Sequence, residues 1–346
     1  MPEMNEKELY ASIRKGNIAP VVVLFGDEPY LKQLYTDRIV KRSVTDFEDF
    51  NMHRFDASVK MDDLCSAVDA MPMMSEHTCV VVRDFNYSSL SARDAEQLKH
   101  IISEPNDMCV LIFLYENTDL PQRSGTAKEI TALLKKNAAF IRFERKDERE
   151  LVDFACRRCA KRGANLHSTT AKYLISTCGT ELGNLVNEID KLCDYVGKNS
   201  ISENDIDAVS TRTLEATSFR LAAAVCTCKK DEAMKICEDL FDMQTEPLMI
   251  LGALISVFVD IYRMKLADGE GMRAESAAAA FGYGKAAFKM KNAANYGRRM
   301  SQASARTALE ILRRADCSIK TSQSDKRLAV ERAVIELMRV VSGAGE

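Results

Sequence analysis

The chain has 346 residues, a formal net charge of −3, 46% hydrophobic residues and eleven cysteines. That length calls for more than one domain, and the apolar content is ample for packed cores. No unbroken run of roughly 18 apolar residues occurs, the opening Met1-Pro2-Glu3-Met4-Asn5-Glu6 is acidic and polar, and the odd, scattered cysteines read as reduced thiols. These features speak against a membrane span, a signal peptide and a disulfide framework, and they lead us to expect a cytoplasmic protein.

In chain order, the first 145 residues alternate strand and helix. Apolar runs at Val21–Phe25, Phe50–Phe55, Cys79–Phe85, Cys109–Tyr115 and Ala138–Phe143 predict strands, mostly buried on both faces. Between them, Glu28–Val44, Met61–Met71, Ser91–Ile102 and Ser124–Asn137 carry helical patterns. Strands separated by helices imply a mostly parallel sheet.

The first strand is followed by Gly26-Asp27-Glu28-Pro29, where a nucleotide-binding α/β domain would carry its phosphate loop. Such a loop needs a second glycine five residues on, then Lys and Ser/Thr, so that backbone amides cradle phosphate. Here Leu31 stands at the second glycine's place, and Asp27 and Glu28 put negative charge where phosphate would sit. A helix N-terminus accepts those carboxylates for the same dipole reason that it accepts phosphate. The site is expected to be filled from within.

Between the second helix and the third strand lies Met71-Pro72-Met73-Met74-Ser75. Pro72 should end or kink the helix and push the next residues into a turn. The two following methionines then either project as flexible apolar side chains suited to another protein's pocket, or fold back under the sheet as core.

Beyond Arg145 the strand signal ends. From Asp147 to Ser210 three or four short helices are predicted, with Gly163 as a stop, Ser168 as a cap, and Leu182, Leu185, Val186, Ile189 and Leu192 at helical spacing. From Thr211 onward the pattern is helical, with long elements near Glu246–Leu266, Ala303–Lys320 and Ser324–Val341. The domains expected are 1–145, 146–211 and 212–346. Residues 1–142 hold 17 Lys/Arg against 22 Asp/Glu, whereas residues 271–346 hold 14 against 7. That basic end either faces nucleic acid or an acidic partner, or forms an ordinary solvated helical surface.

Other motifs fall short of chemistry. Cys156-Arg157-Arg158-Cys159 and Cys226-Thr227-Cys228 lie in helical patterns, with no histidine pair to complete a zinc site. Gly282-Tyr283-Gly284-Lys285 lacks the first glycine, the hydroxyl residue and the preceding strand of a phosphate loop. No catalytic residue, metal ligand or cofactor-binding set is assigned.

The order and spacing of four segments resemble the delta subunit family of the bacterial DNA polymerase III clamp loader. They are Leu24-Phe25-Gly26-Asp27-Glu28-Pro29-Tyr30-Leu31, Gly179–Leu185 with Asn187–Leu192, Glu246-Pro247-Leu248-Met249-Ile250-Leu251, and Ala315–Thr321. The resemblance spans essentially the whole chain. It implies an AAA+-like module: a RecA-like parallel-sheet domain, a small helical lid and a C-terminal helical collar bundle. It further implies a subunit of a DNA-directed DNA polymerase (nucleotidyltransferase) holoenzyme that neither binds nor hydrolyses ATP.

By that resemblance the first domain binds the sliding clamp (beta subunit) and wedges its ring open for loading on primed DNA. The collar joins a hetero-pentamer with delta-prime and the ATPase subunits gamma/tau. The family's Leu-Phe-like wedge maps by position to Met73 and Met74, with Met71 beside them, which implies a softer anchor. Arg298, Arg299, Arg313 and Arg314 are candidate collar or DNA contacts. Two alternatives are a divergent AAA+ NTPase, and a nucleic-acid-binding helical protein using those arginines with Lys320, Lys326 and Arg327.

Overall fold

The computed structural model describes residues 4–121, 124–211, 214–283, 288–321 and 325–343. Its contacts divide the chain into two compact units, Met1–Asp147 and Glu148–Glu346.

The first unit is a five-stranded sheet in the order β2-β3-β4-β1-β5, with every neighbouring pair parallel. The strands are β1 Val21–Gly26, β2 Met52–Phe55, β3 Thr78–Arg83, β4 Cys109–Leu114 and β5 Ala139–Phe143. The helices are α1 Glu6–Lys15, α2 Pro29–Ser43, α3 Glu48–Asn51, α4 Met61–Val68, α5 Ala92–Ser103 and α6 Gly125–Asn137. β4 is buried at every position and β3 at all but Arg83, as strands covered by helices on both faces must be. One core gathers Val23, Leu64, Val80, Leu98, Phe113 and Ile130 from sheet and helices together. The sequence pattern did not register α1, which opens with a complete capping box between Asn5 and Glu8 and closes on left-handed Gly16.

Two of the boundary differences from the sequence pattern bear on the site. The strand expected from Phe50 starts at Met52, because Phe47–Asn51 forms a tight turn first. The helix expected to reach Met71 ends at Val68, well before Pro72, and the Asn106 carboxamide donates to the Val68 carbonyl at 2.9 Å.

The second unit is all helical: α7 Glu148–Lys161, α8 Ser168–Cys178, α9 Leu182–Val196, α10 Glu203–Val209, α11 Leu214–Cys226, α12 Lys230–Asp242, α13 Pro247–Gly269, α14 Ala274–Ala280, α15 Phe288–Tyr296, α16 Gln302–Thr321 and α17 Lys326–Val341. The Gly179–Leu192 signature has a local explanation. Glu181 caps α9 by accepting from the Gly183 and Asn184 amides, and Asn184 donates back to the Cys178 carbonyl at 3.0 Å. Buried Glu188 takes the Lys191 ammonium at 2.8 Å and the Thr211 amide at 3.0 Å. Arg158 grips Asp190 with two hydrogen bonds, tying α7 to α9.

A separate continuous core runs from Leu221 to Val341 and is built on α11–α17. Among the described residues α13 alone is long and apolar enough to cross a membrane, a feature that a search for unbroken apolar runs passes over. Its Leu251, Leu254, Phe258, Ile261 and Met264 are buried in that core. Its Asp260, also buried, accepts the Tyr283 hydroxyl, to which Arg263 donates at 2.6 Å. The α13 face is therefore committed to helix packing, with a polar cluster at its middle.

Cys159 on α7 and Cys226 on α11 are buried, while Cys156 is half-buried. Cys228 departs from the helical expectation: it lies past the end of α11 at φ 57°. Gly284 and Lys285 of the loop weighed as a phosphate site lie outside the described residues, as does Ser324.

Candidate functional site: a sealed loop and an exposed methionine tip

Because all five strands run the same way, the sheet has two distinct ends. The loop after β1 lies at the carboxyl ends, where ligands bind open α/β sheets. The methionine segment, which leads into β3, lies at the opposite end.

At the carboxyl end, Gly26 has φ 110°, and a Cβ there would sit 2.3 Å from the Phe143 carbonyl oxygen. This close approach lets that carbonyl accept from both the Asp27 amide, at 2.8 Å, and the Glu28 amide, at 3.2 Å. Amides that would cradle a phosphate are thus already bonded to β5. Glu28, itself buried, caps α2 by accepting from the Tyr30 amide.

The sequence reading overlooked the third element of the seal. Lys32 is buried, and its Nζ donates to the carbonyls of Gly26 at 2.8 Å, Tyr115 at 2.6 Å and Glu116 at 3.0 Å. Desolvation lowers its pKa, opposed by the carboxylates of Asp84, Glu116, Asp27 and Glu28. Asp84, at φ 51° beyond β3, accepts from the amides of Glu116, Asn117 and Thr118 and from the Thr118 hydroxyl. Burial works to raise its pKa, and those hydrogen bonds hold it below the usual carboxylate range. Cation and carboxylate at this end are both committed to backbone groups of the protein.

At the other end the three methionines are on the surface: Met71 is 75% exposed, Met73 50% and Met74 76%. They do not fold back as core. The backbone beneath them is fixed. The Asn51 side chain, fully buried, accepts the Met73 amide at 2.7 Å and donates to the Met73 carbonyl at 2.8 Å and the Asp46 carbonyl at 2.9 Å. The Ser75 hydroxyl donates to the Ser43 carbonyl at the end of α2 and accepts from the Thr45 amide, both at 3.4 Å. Met74 itself is left-handed, at φ 52°.

The basic residues of the second unit are dispersed. Arg298 and Arg299 are exposed on a short turn between α15 and α16 and make no ion pair with another described residue. Arg313 is paired with Glu310 on its own helix, and Arg314 reaches Glu336 on α17 at 3.3 Å. Lys320 pairs with Asp316 and Arg327 with Glu331. These helix-surface pairs engage four of the seven carboxylates in residues 271–346 and leave the basic surplus of that segment unchanged.

The geometry defines a class: a five-stranded parallel-sheet module followed by an all-helical region. Family models agree. "DNA polymerase III, delta subunit" matches residues 23–144 and "DNA polymerase III delta subunit, C-terminal domain" matches residues 215–337. A Bacillus subtilis (strain 168) protein named DNA polymerase III subunit delta is 26% identical over 345 residues, covering 96% of each chain. The solved structure of the Bacillus subtilis DNA clamp loader delta protein superimposes with a TM-score of 0.68 at 25% identity, covering 96% of this chain and 99% of that one. The chain belongs to the DNA polymerase III delta subunit family.

Proposed function

We propose that this chain acts in clamp loading: it binds the sliding clamp through Met73 and Met74, flanked by Met71, and opens the ring. The observation that carries this reading is the pinned tip. Large apolar side chains are costly to leave in water, yet here their backbone is held outward by a buried carboxamide. A partner shifts an equilibrium only by its differential affinity, so the tip must bind the opened or relaxed clamp more tightly than the closed one.

The chain contributes no ATPase chemistry in this account. The loop amides of Asp27 and Glu28 and the Lys32 ammonium are engaged by carbonyls, which supports a structural role for that corner. Energy comes from the gamma/tau ATPase subunits, which residues 212–346 join as a collar together with delta-prime; residues 146–211 form the lid between. Contact with primed DNA is made through the assembled complex, in the cytoplasm; all four candidate arginines are exposed, and Arg298 and Arg299 are the two without an ion pair to another described residue.

The test is a calorimetric titration of the full chain against the sliding clamp from the same source, beside Met73→Ala and Met74→Ala. Each substitution is expected to weaken binding. Unchanged affinity in both variants would remove the methionine tip from the interface.

A further inference from the structure

We infer that the clamp-contact surface has a second apolar limb, Phe47 and Phe50, and that Asn51 is the positioning residue that joins it to the methionine tip. This rests on the clamp-binding reading above. Phe47 is 50% exposed and Phe50 63% exposed, and both precede β2 at the same end of the sheet as the methionines. Two exposed phenylalanines three residues apart are not accounted for by the sheet core. Their turn is tight: the Phe47 carbonyl accepts the Phe50 amide at 3.0 Å and the Asn51 amide at 3.1 Å.

Asn51 connects the limbs directly. Its carboxamide nitrogen spans the Asp46 carbonyl of one limb and the Met73 carbonyl of the other, while its oxygen takes the Met73 amide. Asn51 itself is fully buried and the three bonds are part-buried, so separating the two limbs would break bonds shielded from water at one end. Both limbs also carry backbone strain of the same kind. Phe47 and Met74 each sit at φ 52°, a left-handed conformation that bulky residues seldom adopt. Strain of that kind, repeated at two exposed apolar residues and fastened by one buried side chain, is what a surface preorganised for a partner requires.

The occupant is the clamp that takes the methionines, because the second limb is continuous with the first through Asn51. Of the negative residues around it, Glu48 lies 3.9 Å from the Arg54 guanidinium, and exposed Asp46 and Asp49 favour a partner surface with basic groups at its rim.

The test measures affinity of the full chain for its sliding clamp by surface plasmon resonance. The variants are Phe47→Ala/Phe50→Ala, Asn51→Asp and Met73→Ala/Met74→Ala, with urea unfolding of each run in parallel. Phe47→Ala/Phe50→Ala is expected to weaken binding about five- to tenfold. Asn51→Asp keeps the acceptor for the Met73 amide and loses both donations. It is expected to weaken binding by about tenfold in the wild type and to have little further effect once both methionines are alanine.

As a readout needing no variant, the Met73 amide should exchange with deuterium more slowly than that of Met71, despite both side chains being exposed. Wild-type affinity in Phe47→Ala/Phe50→Ala, where the methionine variant has lost binding, would overturn the second limb alone. A change in self-association by sedimentation, with clamp affinity intact, would also overturn it. Clamp binding untouched in the methionine variant would overturn the reading on which it rests.

Discussion

Replacing Lys32 with Met keeps the buried stem and removes the ammonium. Three carbonyls, those of Gly26, Tyr115 and Glu116, then lose the donor they share. A buried polar group left without its partner costs about 1–3 kcal/mol, so three together cost roughly 3–9 kcal/mol. Against this, the variant no longer desolvates a cation, which recovers several kcal/mol. We expect a net loss of about 2–3 kcal/mol, or a fall of roughly 5–10 °C in the unfolding transition of the first unit by scanning calorimetry.

The pH dependence gives a second readout with a defined sign. Burial lowers the Lys32 pKa below its ordinary 10.5, so between the folded-state value and 10.5 the unfolded chain holds more protons. Lys32 therefore contributes stability that rises with pH across that window, and the difference between wild type and Lys32→Met should widen with it. Thiols pushed up by burial, such as Cys79 and Cys226, each to about 12, act in the opposite sense but are common to both proteins. A variant as stable as wild type, with no pH-dependent difference, would refute the claim that Lys32 holds this corner closed.

Three further outcomes are expected. Gly26→Ala should destabilise the first unit by about 2 kcal/mol or more in urea titration, since its Cβ would meet the Phe143 carbonyl at 2.3 Å and the backbone is at φ 110°. A fluorescent ATP analogue should give no saturable signal with the isolated chain; binding that Lys32→Met abolishes would revive the NTPase reading. In native protein at pH 8, a thiol reagent such as dithionitrobenzoate should label exposed Cys317 first, while Cys79, Cys178 and Cys226, each pushed up to about 12 by burial, stay unreactive until unfolding.

The parallel sheet was legible because doubly buried strands are written as unbroken runs of Val, Ile, Leu and Phe, and Val21–Phe25 and Cys109–Tyr115 are of that kind. Residues whose role comes from long-range hydrogen bonds were not. Lys32 stands six residues after Gly26, the place of a phosphate-loop lysine, so a signal existed; but its inward turn depends on carbonyls 83 and 84 positions away. Asn51 reads as one of three polar residues in Phe50–Phe55, and its partners lie 5 and 22 positions distant. Phe50 was absorbed into a predicted strand because hydrophobicity alone does not separate a buried phenylalanine from an exposed one. The methionine tip was legible as a turn through Pro72, although only the folded chain distinguishes projection from burial.

The most direct test of the account is surface plasmon resonance of the full chain on its immobilised sliding clamp, wild type beside Met73→Ala/Met74→Ala. With Met73 half-exposed and Met74 three-quarters exposed in the free chain, burying both in a pocket yields about 2 kcal/mol, or roughly thirtyfold in Kd. The account predicts tight binding by wild type and a loss of about that size in the variant, with unchanged unfolding in urea. Equal binding by both proteins would contradict it.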